Sequence, residues 1–180
     1  MTMVDEILRE LAQEAVTTRR VLERVPAGKM DWRPHPRART LGELAAHIAT
    51  LPGNIAEMAT QDTFDVSELA QPRSMTAAEL PAVLDDSLAT ARTALSGLSS
   101  ERLVETWRMV AGGMTLMSMP RAALLRTVML NHWYHHRGQL TVYLRELDVA
   151  VPSIYGPSAD ENPFDPVAAS EQSASMSMPR

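Results

Sequence analysis

Residues 131–140 read Asn-His-Trp-Tyr-His-His-Arg-Gly-Gln-Leu and hold three of the five histidines of this 180-residue chain. They lie inside a run from Pro120 to Leu147 that contains no internal proline and only Gly138 as a glycine. A run of this length without helix breakers predicts one long helix. Ser118 is its expected N-cap. Pro120 suits the first turn, because the missing N–H of proline would be unpaired there.

Two histidines of this predicted helix fall within one apolar stripe. Each residue advances about 100° around a helix axis, so His136 lies about 40° from His132. The same stripe contains Leu125, Val128, Met129, Tyr143 and Leu147. His135 falls at the edge of the stripe. The spacing therefore predicts that His132 and His136 point toward the core, one turn apart.

Two imidazoles at positions i and i+4 of a helix can share a metal ion, as in the zinc motif His-Glu-x-x-His. The acidic residue of that motif is absent here, so the pattern does not indicate a metalloprotease. The alternative is that each histidine is a hydrogen-bonded core residue. A pair in one stripe, with a third histidine in another helix, favours a metal site, because burying several unpaired imidazoles is unfavourable.

The third histidine, His47, belongs to a second predicted helix. This helix begins with a capping box, Thr40-Leu-Gly-Glu43, and continues with Leu44, Leu51, Ile55 and Met58 at helical spacing. His47 falls at the edge of that stripe, where a residue can line a cleft or simply face solvent. Pro52 and Gly53 predict an interruption and a kink just after it.

The rest of the chain indicates a mostly helical protein. The periodicity predicts a first helix over residues 2–24 and a third from the capping box at 76–79 to Leu98. Residues 26–39, with an exposed His35 between two prolines, and residues 60–75 are expected to be loops. Gly112-Gly113 between two short apolar runs predicts a turn or a small hairpin. Residues 151–161 are expected to form a loop over the helices, and 162–180 a disordered tail.

Composition excludes several functional classes. Apolar residues make up 45% and charged residues 22%, as in one soluble domain with a full core. A net charge of −5 argues against nucleic-acid binding. There is no cysteine, so histidine and carboxylate remain as metal ligands. The start of the chain has no signal-peptide pattern and no run of 18 apolar residues occurs, so we expect a cytoplasmic protein without a membrane partner.

The quoted motifs resemble the DinB-like (DinB/YfiT-like) superfamily of metal-dependent four-helix-bundle proteins. The resemblance rests on Trp32, on residues 40–47, on the histidine motif at 131–140, on residues 143–145 and on 151–161. It covers residues 1–161, which we take as one domain followed by the tail 162–180. It implies an up-up-down-down bundle with a long crossover, and a homodimer.

The resemblance also implies a divalent metal held by His47, His132 and His136. Zinc or nickel would suit such ligands best, with iron, manganese or copper as alternatives. Some members of the family are thiol-dependent transferases or isomerases that act on small molecules. We therefore expect a metal-assisted transferase or hydrolase, with a non-catalytic stress-response module that binds a metal or ligand as the alternative. Side chains expected to orient a ligand are His135, Gln139 and Asn131, with Tyr155 and Asp160 reaching the mouth from the C-terminal loop.

Overall fold

The computed structural model describes residues 2–69 and 74–165. Three long helices are α1 (Met3–Leu22), α2 (Leu41–Thr60) and α3 (Leu80–Ser96), and a short helix, α4 (Ser100–Val104), follows. The last helical stretch consists of α5 (Arg121–Leu124), a π-helical segment (Leu125–Asn131) and α6 (His132–Glu146). Residues 166–180, most of the expected disordered tail, lie outside the described part of the chain.

Capping residues start the helices where the sequence predicts. The Thr40 side chain accepts a hydrogen bond from the Glu43 N–H at 3.1 Å, and the Glu43 carboxylate accepts one from the Thr40 N–H at 2.6 Å. These bonds satisfy N–H groups that have no partner within the helix. Glu79 likewise accepts from the Thr76 N–H at 2.8 Å, at a single 3-10 turn over Ala77–Glu79 that leads into α3.

Helix α2 continues through Pro52, so the predicted interruption is wrong. Beside Pro52, the hydroxyl of Ser87 in α3 accepts from the Gly53 N–H at 2.8 Å and donates to the Thr50 carbonyl at 3.1 Å. A Cβ atom at Gly53 would lie 2.9 Å from the Ser87 carbonyl oxygen. Glycine at this position therefore allows α2 and α3 to pack closely enough for these two hydrogen bonds.

A small three-stranded sheet corrects the all-helical prediction. Its strands are β1 (Thr63–Asp65), β2 (Thr106–Ala111) and β3 (Met114–Pro120), with β1 parallel to β2 and β2 antiparallel to β3. The hairpin predicted at Gly112-Gly113 is confirmed. Both glycines have positive φ, +53° and +81°, as a tight hairpin turn requires. Strand β1 lies in the segment predicted to be a loop, where three residues are too few to give a periodic pattern.

The last helical stretch begins two residues later than predicted, with Pro120 rather than Ser118 as its N-cap. Ser118 and Pro120 belong to β3, so neither plays its predicted part at the start of the helix. The helix instead begins at Arg121, whose N–H donates to the Glu105 carbonyl at 3.1 Å. The Arg121 side chain is fully buried and donates to the carbonyls of Ala59 and Gln61 at 2.9 and 2.8 Å. It therefore caps the C-terminal end of α2, where a positive charge is favourable.

The core lies between the long helices. Helix α2 packs against α3 on one side and against α6 and the π segment on the other, while α1 packs against α3 and α6. The largest fully buried side chains are Trp107 and Trp133. Residues 151–161 fold back onto the helices as predicted, since Arg20 of α1 donates to the Ser153 carbonyl at 3.2 Å. Among the described residues, no helix is both long and apolar enough to cross a membrane.

Candidate metal centre

His47 lies on the second turn of α2 and is partly buried. Its Nε2 is buried and has no hydrogen-bond partner in the described part of the chain. Burial, together with His136, Arg39 and His132, lowers the pKa of His47 to about 4. The ring is therefore neutral at physiological pH and carries a buried nitrogen without a partner, which is unfavourable unless a ligand satisfies it.

His132 and His136 lie on successive turns of α6, and their Nε2 atoms are 2.6 Å apart. The second ring nitrogen of His136, Nδ1, lies 2.7 Å from the Gln139 side-chain oxygen. The His132 ring bonds the backbone of Val128, and Nδ1 is the nitrogen left for this bond. An oxygen acceptor at Nδ1 places the proton there, so both Nε2 atoms present lone pairs. Burial lowers the pKa of His132 and of His136 below their usual values, which also favours the neutral rings.

The π segment helps to orient the His132 ring. The backbone N–H of His132 donates to the carbonyls of Met129 and Thr127. In an α-helix this N–H would donate instead to the Val128 carbonyl. The Val128 carbonyl is thereby available to the imidazole. The π segment ends at Asn131, the residue before His132. Turns of π-helix often occur beside functional sites. No feature of the sequence pattern predicted this segment.

The three histidines form one compact group. Each offers a nitrogen, and these atoms all lie within 4.8 Å of one another. The His47 ring centre is 5.3 Å from that of His132 and 4.7 Å from that of His136. Three converging imidazoles fit the ligand set of a divalent transition metal. In His132 and His136, the ring nitrogen that faces away from the group bonds an oxygen acceptor, as in most metal-binding histidines. A three-ligand set leaves further coordination positions open.

The two histidines of α6 lie at the edge of its buried face, which corrects the prediction that they point into the core. The buried face is formed by Trp133, Arg137, Leu140 and Leu144. His132 and His136 are only partly buried. The π segment accounts for part of the error, because the helical wheel assumed 3.6 residues per turn through residues 125–131. An edge position leaves the histidine group accessible from outside the protein.

A backbone carbonyl next to His47 fixes the two helices together. Trp133 donates its indole N–H to the Ile48 carbonyl at 2.9 Å, and both residues are fully buried. Ile48 is four residues before Pro52, which has no N–H to donate, so this carbonyl lacks its usual helical partner. The residues that follow His47 and His132 in sequence are thus bonded to each other.

The structure brings only some of the other predicted side chains to the histidine group. His135 is exposed, with its ring centre 5.1 Å from that of His136, and Asn131 is also exposed. Tyr155 donates to Glu14 of α1 at 2.9 Å, and Asp160 accepts from the Val151 N–H at 2.8 Å and pairs with Arg145. Tyr155 and Asp160 therefore anchor the C-terminal loop to the helices. Gln139 does contact the histidine group, through His136.

Two arginines were missed by the sequence analysis. Arg137 is 1% exposed and donates to the Glu14 carbonyl at 3.2 Å and to Thr18 at 3.1 Å, which ties α6 to α1. Arg39 is an exposed residue whose charge contributes to the lowered pKa of all three histidines. Arginine is common on helix surfaces and in loops, so its type and position gave no signal.

The chain belongs to the DinB family, whose sequence model matches residues 1–166. It is similar to a DinB-like protein of known structure from Bacillus cereus, with 24% sequence identity and a TM-score of 0.64 over 84% of this chain and 97% of that chain. It is also similar to a DinB-like protein from Bacillus subtilis, with 19% sequence identity and a TM-score of 0.62 over 87% of this chain and 99% of that chain. These likenesses establish the fold. The Bacillus subtilis protein YrdA, described as uncharacterized, is 46% identical over 43 residues, which is 24% of this chain and only a quarter (25%) of that relative.

Proposed function

We propose that this DinB-family protein binds one divalent metal ion through His47, His132 and His136. The observation that carries the proposal is the convergence of three imidazole nitrogens within 4.8 Å of one another. The Nε2 atoms of His132 and His136 lie 2.6 Å apart. When Gln139 and Val128 accept hydrogen bonds from the Nδ1 atoms of these rings, the lone pairs of the two Nε2 atoms face each other. Two facing lone pairs repel, and a cation between them and the buried His47 Nε2 removes the repulsion.

We further propose that the protein is a metal-assisted transferase or hydrolase that acts on a small molecule, and its thiol dependence rests on the family resemblance alone. A divalent ion with three neutral ligands would lower the pKa of a bound water or thiol toward neutrality. His132 and His136 hold the ion at the edge of the buried face, which leaves room for a substrate to enter. Gln139 and the Val128 carbonyl fix the tautomers of these two rings, so that the ligand nitrogens need no rearrangement.

Imidazole ligands indicate zinc or nickel first, and they also suit iron or copper, with manganese less well matched. The absence of any carboxylate from the three-residue group argues against magnesium and calcium, which prefer oxygen ligands. Of the described residues, only these three histidines form such a group.

The test is elemental analysis of untagged protein purified without added metal, beside His47→Ala and His132→Ala. We expect about one metal per chain in the wild type and loss of that metal in both variants. His35→Ala is the matched control and should keep the metal, because His35 is an exposed loop histidine outside the group. Absence of metal from the wild type, with none taken up on titration, would overturn the proposal.

A non-catalytic role is the second candidate. The three ligands come from α2 and α6, so a bound ion would cross-link two helices that already pack together. An ion held for this purpose stabilises the folded state in proportion to its affinity. A large rise in Tm on metal addition, without turnover of thiol-containing substrates, would favour this role over the enzymatic one.

We also propose that the four long helical stretches form the up-up-down-down bundle, with a long crossover, and that the chain assembles as a homodimer. The packing of α1 and of α2 against both α3 and α6 supports the bundle. The dimer rests on the family resemblance alone, and sedimentation analysis would test it.

A further inference from the structure

We propose that the groove between α1 and α3 is a second binding site, and that it takes a small carboxylate with an apolar body. The groove is lined by Leu8, Leu11, Ala12, Ala15, Leu88 and Arg92. All of these residues are apolar except the arginine, which carries a positive charge. The three histidines belong to α2 and α6, so this inference does not depend on the metal site proposed above.

The groove exists because α1 presents small side chains where it faces α3. The lining residues of α1 follow the spacing i, i+3, i+4 and i+7, which places them on one side of the helix. Two of them, Ala12 and Ala15, are short and leave space beside Leu88 of α3. The volume that remains is about 130 Å³. Because an apolar cavity of about 150 Å³ can hold a molecule of the size of benzene, the groove has room for one small apolar group.

The guanidinium of Arg92 is available to a ligand in this groove. Its side chain is exposed, and it forms no ion pair in the described part of the chain. Asp85, seven residues earlier and on the same side of α3, pairs with Arg19 of α1. Glu10 and Glu14 of α1 pair with arginines of the last helical stretch. The nearby carboxylates therefore have other partners, and Arg92 keeps its charge uncompensated at the groove.

Charge and size together indicate the class of ligand. A guanidinium offers two parallel N–H donors that match the two oxygens of a carboxylate, and a single cation matches a single negative charge. An exposed ion pair contributes little alone, so the apolar body must supply most of the affinity by covering Leu8, Ala12 and Leu88. The groove is well below the roughly 300–1,000 Å³ of pockets that hold drug-sized ligands. The ligand is therefore a monocarboxylate with one ring or a short aliphatic chain.

Benzoate and benzamide test this assignment, because they share a ring and a planar shape and differ in charge. The methyl NMR signals of Ala12 and Ala15, followed during titration with each compound, report occupation of the groove. We expect both compounds to shift these signals, with benzoate binding about threefold to fivefold more tightly, as an exposed ion pair provides. Arg92→Gln should make the two affinities equal. Arg108→Gln, which removes the charge of an exposed arginine in β2, should keep the wild-type ratio.

A second variant tests the apolar part of the groove. Ala12→Leu fills the space from α1 and should abolish binding of both compounds, read at the Ala15 methyl. Ala12 is exposed, so the larger side chain does not enter the core. Ala82→Leu is the matched control, because Ala82 is an exposed alanine of α3 outside the groove, and it should keep both affinities. Unchanged methyl signals of the buried Leu41 show that each variant is folded.

Several results would overturn this assignment of the groove. Absence of shifts at Ala12 and Ala15 with both compounds would do so, and so would equal shifts at the Ala82 methyl, which would mean unspecific surface binding. A preference for benzoate that persists in Arg92→Gln would contradict the role of the guanidinium. Binding of an acidic amphipathic peptide in place of both compounds would make the groove a protein-docking surface instead. His132→Ala should leave the titrations at Ala12 and Ala15 unchanged, which separates this site from the metal centre.

Discussion

The indole N–H of Trp133 donates to the carbonyl of Ile48 at 2.9 Å, and this bond joins the neighbours in sequence of His132 and His47. Pro52 makes the bond available, because it removes the N–H that would otherwise occupy the Ile48 carbonyl. The carbonyl that Pro52 leaves without a helical donor in α2 thus accepts a bond from α6, and this bond fixes the register of the two helices. The distance between the histidines of the two helices depends on that register.

Trp133→Phe keeps most of the buried ring and removes the donor. We expect the free energy of unfolding to fall by about 1–3 kcal/mol, because the buried Ile48 carbonyl loses its partner. Metal affinity should fall by about tenfold, since the histidine rings of the two helices are no longer held in register. Urea unfolding of the metal-free protein and competition with a chromophoric chelator measure the two effects.

Trp107→Phe is the matched control for that variant. Trp107 is also fully buried and donates its indole N–H to a carbonyl of α2, that of Met58, at 3.0 Å. It lies in the sheet, near the far end of α2 from His47. The control should lose similar stability and keep its metal affinity. An equal loss of metal affinity in both variants would show that general destabilisation, rather than register, weakens the site.

The lowered pKa of His47 predicts how the metal-free protein responds to acid. Its pKa is about 4 in the folded protein, against 6.5 for an unperturbed histidine. The unfolded state therefore binds a proton between these values and the folded state does not, so stability falls as pH decreases from 6.5 toward 4. Between pH 7 and pH 5 this one group should reduce the free energy of unfolding by about 2 kcal/mol.

Urea unfolding in the presence of a chelator, at pH 7 and at pH 5, measures this change. His47→Gln removes the titrating group and should show a smaller decrease between the two pH values than the wild type. His35→Gln, the exposed loop histidine, should behave as the wild type does. Identical pH dependence in the wild type and His47→Gln would contradict the buried, neutral state of His47.

The sequence was sufficient for those parts of the fold that depend on local patterns. Capping boxes located the start of α2 and the 3-10 turn that leads into α3, and two glycines located the hairpin turn. The three histidines came together as predicted, because helical spacing and the family resemblance both selected them; their role as metal ligands stays a prediction.

The features that were missed depend on contacts between distant parts of the chain. Strand β1 exists because it pairs with β2, more than 40 positions away, and three residues have too little periodicity to reveal it. The π segment has more residues per turn than an α-helix, so it rotates α6 relative to the residues before it. Arg137 and Trp133 replaced the expected histidines on the buried face because partners in α1 and α2 satisfy their polar atoms.

Two arginines of the last helical stretch provide a direct comparison of a buried and an exposed ion pair. Arg137 pairs with Glu14 at 2.6 Å with side chains 1% and 17% exposed, whereas Arg126 pairs with Glu10 at 2.7 Å with side chains 47% and 32% exposed. Both pairs join the same helical stretch to α1. We therefore expect their substitutions to differ in effect chiefly because of burial.

Arg137→Met should reduce the free energy of unfolding by about 3 kcal/mol, because it leaves the Glu14 charge largely buried without its partner. Arg126→Met should reduce it by less than about 1 kcal/mol, since water can solvate Glu10 in its place. The double variant Glu14→Gln/Arg137→Met should recover part of the loss, because no buried charge then remains. Similar losses in the two single variants, measured by urea unfolding, would mean that packing of the long aliphatic stems rather than charge burial stabilises the contact between α1 and α6.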